Sequence, residues 1–486
     1  MAKIVHHRDE WVARAREILP AGGLGNFDPG VFIRKGAGLR VWSEDGREFI
    51  DLLIGSGPMI LGHGHPEVLE AVSEQLPLGM TFFANNSRAV ELAEEICRAV
   101  ACAEQVRFVS SGGEADMFAM RLERAHSGRD LILKFEAGNH EMSAETQMSL
   151  APTRPANYPD AIADSAGIPD SVRRGILVAP FNDVEFLQKL LDQQGDEIAG
   201  VIVEPLQRII PADARFLRKL RSACDRHGIM LIFDEIVTGF RLAYGGAQEY
   251  YGVIPDVCTL GKVIGGGFPL AAIAGRRDIM ADFDREQVGA EGFLMQVGTL
   301  SGNPVAASAG LKTPEILRRS GTYDQLRASG KHIMSAASAA LDGAGHAHRV
   351  VGLESLFDVV LAAQRVTDYR EFIAADKAKG DRFNASLRSN GILKAPGKLT
   401  CQPPYPKMIS TKSRARLIQQ QVPCKSAFSA GGRSSNMQLE FPVTWFWPGP
   451  GLQTVHERVS KGTEWYRTLG RCVSNAATWL PADAAD

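Results

Sequence analysis

Two residues 28 positions apart carry the chemistry to follow in this sequence: Asp234, which closes the apolar run MLIF, and Lys262, in TLGKVIGGGFPL. A lysine amine attacks a carbonyl only when neutral, and burial beside cationic or apolar groups lowers its pKa toward that state. Gly265, Gly266 and Gly267 follow it, and glycine lets another group come close to the backbone. A carboxylate buried at a strand end is what a protonated ring nitrogen requires. Taken singly, each residue also has an ordinary reading, as a solvated surface lysine or as an acidic pair opening a helix.

The elements that must position them follow from periodicity. From about 68 to 275, short apolar β-branched runs alternate with helical patterns, as in an α/β fold with a mainly parallel sheet. Expected strands are 106–109, 131–135, 200–203, 230–233, 257–260 and 271–274, and 184–191 and 216–224 read as crossover helices. That pattern puts Asp234 and Lys262 at carboxyl ends of strands, where such sheets bind ligands. Before this block, GAGLRVWSEDGREFIDLL reads as a hairpin turning at Asp45-Gly46. After it, 349–361 reads as a strand pair, and 376–397 as a helix followed by a strand.

At 486 residues the chain has room for about three domain-sized units by length alone, or for two interlocked domains. The expected division is 1–65 as the N-terminal part of a small α+β domain, 66–315 as the large domain, and 316–398 as the rest of the small one. Residues 399–486 form an atypical tail. With 45% hydrophobic and 23% charged residues the composition is that of a globular protein, and a net charge of −2 gives no field for nucleic acid or an anionic membrane. Seven scattered cysteines without a CxxC pair argue against structural zinc and a disulfide framework. The charged N-terminus and the lack of any run of ~18 apolar residues point to a cytoplasmic protein.

In order and spacing, DEIVTGFR (234–241), PDVCTLGKVIGGGFPLAAIAGR (255–276) and GTLSGNPVAASAGL (298–311) resemble the fold-type I, class III aminotransferases, and most of all their glutamate-1-semialdehyde aminomutase-like branch. The resemblance implies a pyridoxal 5'-phosphate cofactor. It makes Lys262 the residue that forms the internal aldimine and moves the proton, and Asp234 the partner of the ring nitrogen. Ile236 would pack on one ring face, and Ser111, Gly112 and Gly113 in FVSSGGEA would form the phosphate cup, consistent with the anion affinity of a helix N-terminus. Thr299 would reach the phosphate of a neighbouring subunit, implying a homodimer with shared sites; without the motif it reads as a helix N-cap. Glu204 in IVEPLQ matches a position near cofactor and substrate, with Gln207 beside it, although a loop carboxylate before Pro205 is an equal reading. His140 reads as a structural histidine.

Three positions depart from the family pattern. Gly113 stands where the cup usually has Ser or Thr, Asn139 where an aromatic stacks on the ring, and Pro314 inside an expected helix. The implied reaction is a ping-pong transfer from an amine or amino-acid donor to a keto-acid or aldehyde acceptor. An intramolecular amino shift ranks second, because 21–38 lacks the aminomutase arginine at its aligned place. A non-catalytic binding module on the same fold is the contrasting reading. In the tail, 399–439 has no Asp or Glu but six Lys or Arg, and it reads either as a variable extension or as a shifted frame beginning near codon 407.

Overall fold

The computed structural model describes residues 5–401. Seven strands form its main sheet, in spatial order Gln105–Val109, Ala271–Gly275, Val257–Leu260, Met230–Glu235, Ile198–Val203, Leu131–Phe135 and Ile176–Ala179. Ala271–Gly275 is antiparallel to both of its neighbours and the remaining pairings are parallel, so six strands run in one direction. The six strands expected from the sequence are all present. Ile176–Ala179 was not anticipated, since its four residues follow a long stretch without periodicity and sit at the sheet edge.

Ile198–Val203 and Met230–Glu235 are buried at every position, as unbroken apolar runs covered on both faces should be. Their crossover helix, Ala214–His227, begins where the Asp213 carboxylate accepts from the Arg215 and Phe216 amides and stops at left-handed Gly228. Its inner face of Phe216, Leu217, Leu220, Ala223 and Cys224 is buried. On the opposite layer, Gly112–Ser127 follows Gln105–Val109 directly and packs across Val257–Leu260 and Ile198–Val203.

The expected hairpin forms between Arg40–Ser43 and Glu48–Asp51, and Ile33–Ala37 adds an antiparallel strand to it. The far end of the chain joins the same sheet, with Ile392–Leu393 parallel to Glu48–Asp51. A third sheet pairs Arg349–Leu353, Leu356–Val360 and Leu399–Thr400. Helix Pro304–Leu317 continues past buried Pro314, where the Arg318 amide donates to the Pro314 carbonyl. No helix among the described residues is long and apolar enough to cross a membrane. The shifted-frame reading of the tail concerns residues outside those described.

Candidate active site

The carboxyl ends of four adjacent strands and the turn after a fifth converge. Asp234, at the end of Met230–Glu235, is 3% exposed. Its Oδ1 accepts from the Ile236 amide at 3.0 Å, and its Oδ2 lies 2.7 Å from His140 Nδ1. Burial lowers the His140 pKa, opposed by the bond to Asp234. The sequence reading gave His140 a structural role, and the structure makes it the side chain that orients Asp234. Nothing in the order of residues could show this, because 94 positions separate the two.

Behind this pair lies Asp116, which the sequence reading did not single out. It is fully buried on Gly112–Ser127, and one oxygen accepts from Thr259 Oγ1 at 2.6 Å while the other has no partner among the described residues. Thr259 pairs with Asp234 across the parallel strands, so two carboxylates share one dry region. Burial, and then the charge of Asp234, push Asp116 well above the usual carboxylate range.

Lys262 follows Val257–Leu260 and opens the short turn Lys262–Gly265 with φ +46°. A non-glycine residue held in the left-handed region stores roughly 1–3 kcal/mol, a strain that concentrates at functional sites. Its amine lies 3.9 Å from Glu141 Oε1. Gly57 gives the lysine stem room, since a Cβ there would stand 3.1 Å from Lys262 Cδ.

Ser111 caps helix Gly112–Ser127 by accepting from the Glu114 amide, and the Glu114 carboxylate accepts from the Ser110 amide at 2.7 Å. The Gly112 and Gly113 amides lie in the first turn, where the helix supplies no acceptor. Ile236 fits between two glycines, because a Cβ on Gly112 or Gly261 would come within 3.0–3.1 Å of its side chain. A Cβ on Gly113 would stand 3.0 Å from Glu141 Cβ. A side chain at position 113 would therefore have to displace Glu141.

Glu204 follows Ile198–Val203 and is buried, its Oε2 accepting from the Asn139 amide at 2.7 Å. Burial first, and then the charge of Asp234, raise its pKa to about 8. Asn139 contributes that amide while its residue stays exposed. Gln207 instead donates to the Glu136 carbonyl at 2.7 Å. Thr299 is exposed in a loop whose carbonyl accepts from Thr81 Oγ1. Its N-cap reading fails, because Asn303 caps Pro304–Leu317 by accepting from the Ala306 amide at 2.9 Å.

Two more cations border the site without having been expected there. Lys398 donates to Ser56 Oγ at 2.9 Å. Arg241 is fully buried and bonds the carbonyls of Val237 and Gly57. The loop 55–66 thus reaches Lys262 through Gly57. Tyr244, farther along the same chain segment as Arg241, donates to the Glu95 carboxylate.

A buried carboxylate held by two donors, an apolar wall, a glycine-lined helix start and a strained lysine make a cradle for a flat, protonated heteroaromatic bearing a phosphate. The Glu141 carboxylate leans over the cup, 3.2 Å from where a Gly112 Cβ would stand, and its side chain is 41% exposed.

A family model described as aminotransferase class-III matches residues 25–393. A glutamate-1-semialdehyde 2,1-aminomutase from Methanopyrus kandleri is 40% identical over 390 residues, 79% of this chain and 89% of that protein. An omega-transaminase from Sphaerobacter thermophilus superposes with a TM-score of 0.77 at 31% identity, covering 85% of this chain and 95% of its own. A transaminase solved with PLP bound superposes with a TM-score of 0.76 at 26% identity, covering 98% and 99%.

Proposed function

The chain belongs to the class-III aminotransferases, and from that premise we propose how its own residues carry out pyridoxal-phosphate-dependent transfer of an amino group from an amine or amino acid to a carbonyl acceptor. The observation that carries the reading is Asp234, clamped by His140 and the Ile236 amide, on the strand next to the one that ends at strained Lys262. When bound, pyridoxal phosphate supplies an aldehyde that takes up an amine and a ring that accepts electron density from the neighbouring carbon. Asp234 keeps a proton on the ring nitrogen, and His140 fixes the orientation of that carboxylate. Ile236 covers one ring face, and the Gly112 and Gly113 amides, with Ser111, receive the phosphate at the helix N-terminus. Lys262 would hold the cofactor through Nζ, and the same amine would serve as the base that moves a proton at the donor carbon. Glu204, its pKa raised to about 8 by burial and by the charge of Asp234, keeps a proton at neutral pH. Donor and acceptor use the site in turn, which is a ping-pong scheme.

The enzyme works as a homodimer in this reading. Leu78, Met80, Phe82 and Phe83 are exposed beside the exposed loop of Met295, Val297 and Leu300, the two segments being tied by Thr81 to the Thr299 carbonyl and by Asn86 to the Gly302 carbonyl. An apolar patch of this kind is what an association surface offers, and it would carry Thr299 to the neighbouring cup. The free thiols at Cys97, Cys102, Cys224, Cys258 and Cys401 fit a reducing, cytoplasmic setting. An intramolecular amino shift is the second reading, on the strength of the Methanopyrus kandleri relative.

Purified protein incubated with pyridoxal phosphate should show a cofactor absorbance band that moves on adding an amine donor. Borohydride should fix the cofactor to the peptide containing Lys262, and Lys262→Ala should abolish both signals. Absence of any band after cofactor addition would sink both enzyme readings, and a band that no donor moves would favour a binding module.

A further inference from the structure

Two further cations, Lys398 and Arg241, stand beside Lys262. Lys398 lies just before strand Leu399–Thr400 and points its amine at the loop 54–57. Its two hydrogen bonds, to Ser56 Oγ at 2.9 Å and to the Ser56 carbonyl at 3.5 Å, are to neutral oxygens, and it makes no ion pair among the described residues. The charged groups acting on it are Lys262 and Arg241 on one side of the balance and Glu204 and Glu141 on the other. Burial first, and then the two cations, lower its pKa to about 8, so it carries charge at neutral pH in a setting where that charge is unfavourable. Arg241 cannot relieve this. It is locked onto the carbonyls of Val237 and Gly57, it forms no ion pair among the described residues, and its Nη1 has no partner there.

One loop ties these groups together. Ser56 receives Lys398, the Gly57 carbonyl receives Arg241, and the bare Cα of Gly57 lets the Lys262 stem pass. The loop is held in conformations that side-chain-bearing residues rarely adopt, with Ile54 at φ +44° and Ser56 at φ +66°. Backbone strain of this kind persists only where the surroundings over-determine it. An anion entering beside Lys262 would complete the set, offsetting the mutual repulsion of Lys398, Lys262 and Arg241.

We propose that Lys398 and Ser56 form the subsite for a substrate carboxylate, so that the preferred donor is an amino acid whose acid group lies on the loop 54–57 side of its amine. This rests on the aminotransferase reading and deepens it. It also answers the missing aminomutase arginine at its aligned place in 21–38, because Lys398 supplies a cation from a distant part of the chain instead.

The test compares the holoenzyme with Lys398→Met, Lys398→Arg and Ser56→Ala, following the donor-driven spectral change with alanine, β-alanine and 4-aminobutyrate, and with propylamine as a donor without a carboxylate. Loss of a charged hydrogen bond should raise the half-saturating concentration of the best amino-acid donor by about 10- to 100-fold in Lys398→Met, with a smaller rise in Ser56→Ala and partial recovery in Lys398→Arg. Propylamine should change less than about twofold, since it never touches the subsite. Equal losses for propylamine and amino acids, or no loss for either, would overturn the subsite. Calorimetric binding of propionate, an inert acid, gives a readout independent of turnover: wild type should bind it more tightly than Lys398→Met. If no donor moves the wild-type band, the transfer reading has failed, and the propionate difference still decides whether Lys398 holds a carboxylate.

Discussion

Glu204 shows how a single buried carboxyl links the site to stability. Its folded pKa of about 8 lies above the ordinary 4.5, because burial and the nearby Asp234 disfavour its charge more than the Asn139 amide favours it. Between about pH 4.5 and 8 the folded protein therefore holds a proton that the unfolded chain has released. The contribution is fully present below about pH 4.5 and is lost as pH rises through about 8. One such proton tilts stability downward by as much as about 1.4 kcal/mol per pH unit. Asp116 and Glu235 tilt it the same way, which is why a difference between variants is needed. Glu204→Gln keeps an acceptor for the Asn139 amide and removes the titration. Urea unfolding between pH 5 and 7 should show a flatter pH dependence in this variant than in wild type. Parallel slopes would place the Glu204 proton elsewhere.

At the scale of elements, the turn that carries Lys262 is set by what packs under it. Helix Pro304–Leu317 crosses Lys262–Gly265 at Gly310, where a Cβ would lie 2.1 Å from the Ile264 carbonyl oxygen, and left-handed Gly266 faces the Ala309 carbonyl at 2.6 Å by the same construction. Gly310→Ala must push the turn away. Overpacking of this kind costs about 1–3 kcal/mol, and here the displacement falls on the lysine. The variant should melt lower and bind pyridoxal phosphate at least about tenfold more weakly. A variant that melts lower while its cofactor affinity stays unchanged would show the turn to be independent of the helix. The element pattern was legible because buried parallel strands are unbroken apolar runs, so 230–233 and 257–260 announced themselves, and with them the ends where Asp234 and Lys262 sit. The remainder was not, because it depends on chain segments far apart. His140 meets Asp234, Asp116 meets Thr259 and Lys398 meets Ser56 only after folding, and none of these pairs leaves a local period. Gly113 looked like a lost hydroxyl until Glu141 was seen to fill the same space.

For the whole molecule, the decisive surface is the one that the protomer leaves apolar. Phe83 is 70% exposed and sits at φ +50°, an unfavourable placement on two counts for an aromatic residue in water. The loop it belongs to is tied to the Thr299 loop by Thr81 and to the Gly302 carbonyl by Asn86, so the two form one surface. A stable pair of protomers needs roughly 800 Å² from each partner, and a charged residue at the middle of such a patch is strongly disfavoured because the partner offers it no counter-ion. If the proposed homodimer forms through this patch, Phe83→Asp should therefore give a monomer in light scattering. If the Thr299 loop completes the neighbouring cup, the same variant should lose cofactor affinity together with mass, although position 83 lies in neither Asp234's surroundings nor Lys262's. Raising protein concentration should restore both signals in parallel. A monomer that binds pyridoxal phosphate as tightly as the dimer would keep the interface and refute the sharing of sites, and a variant that stays dimeric would move the interface to another face.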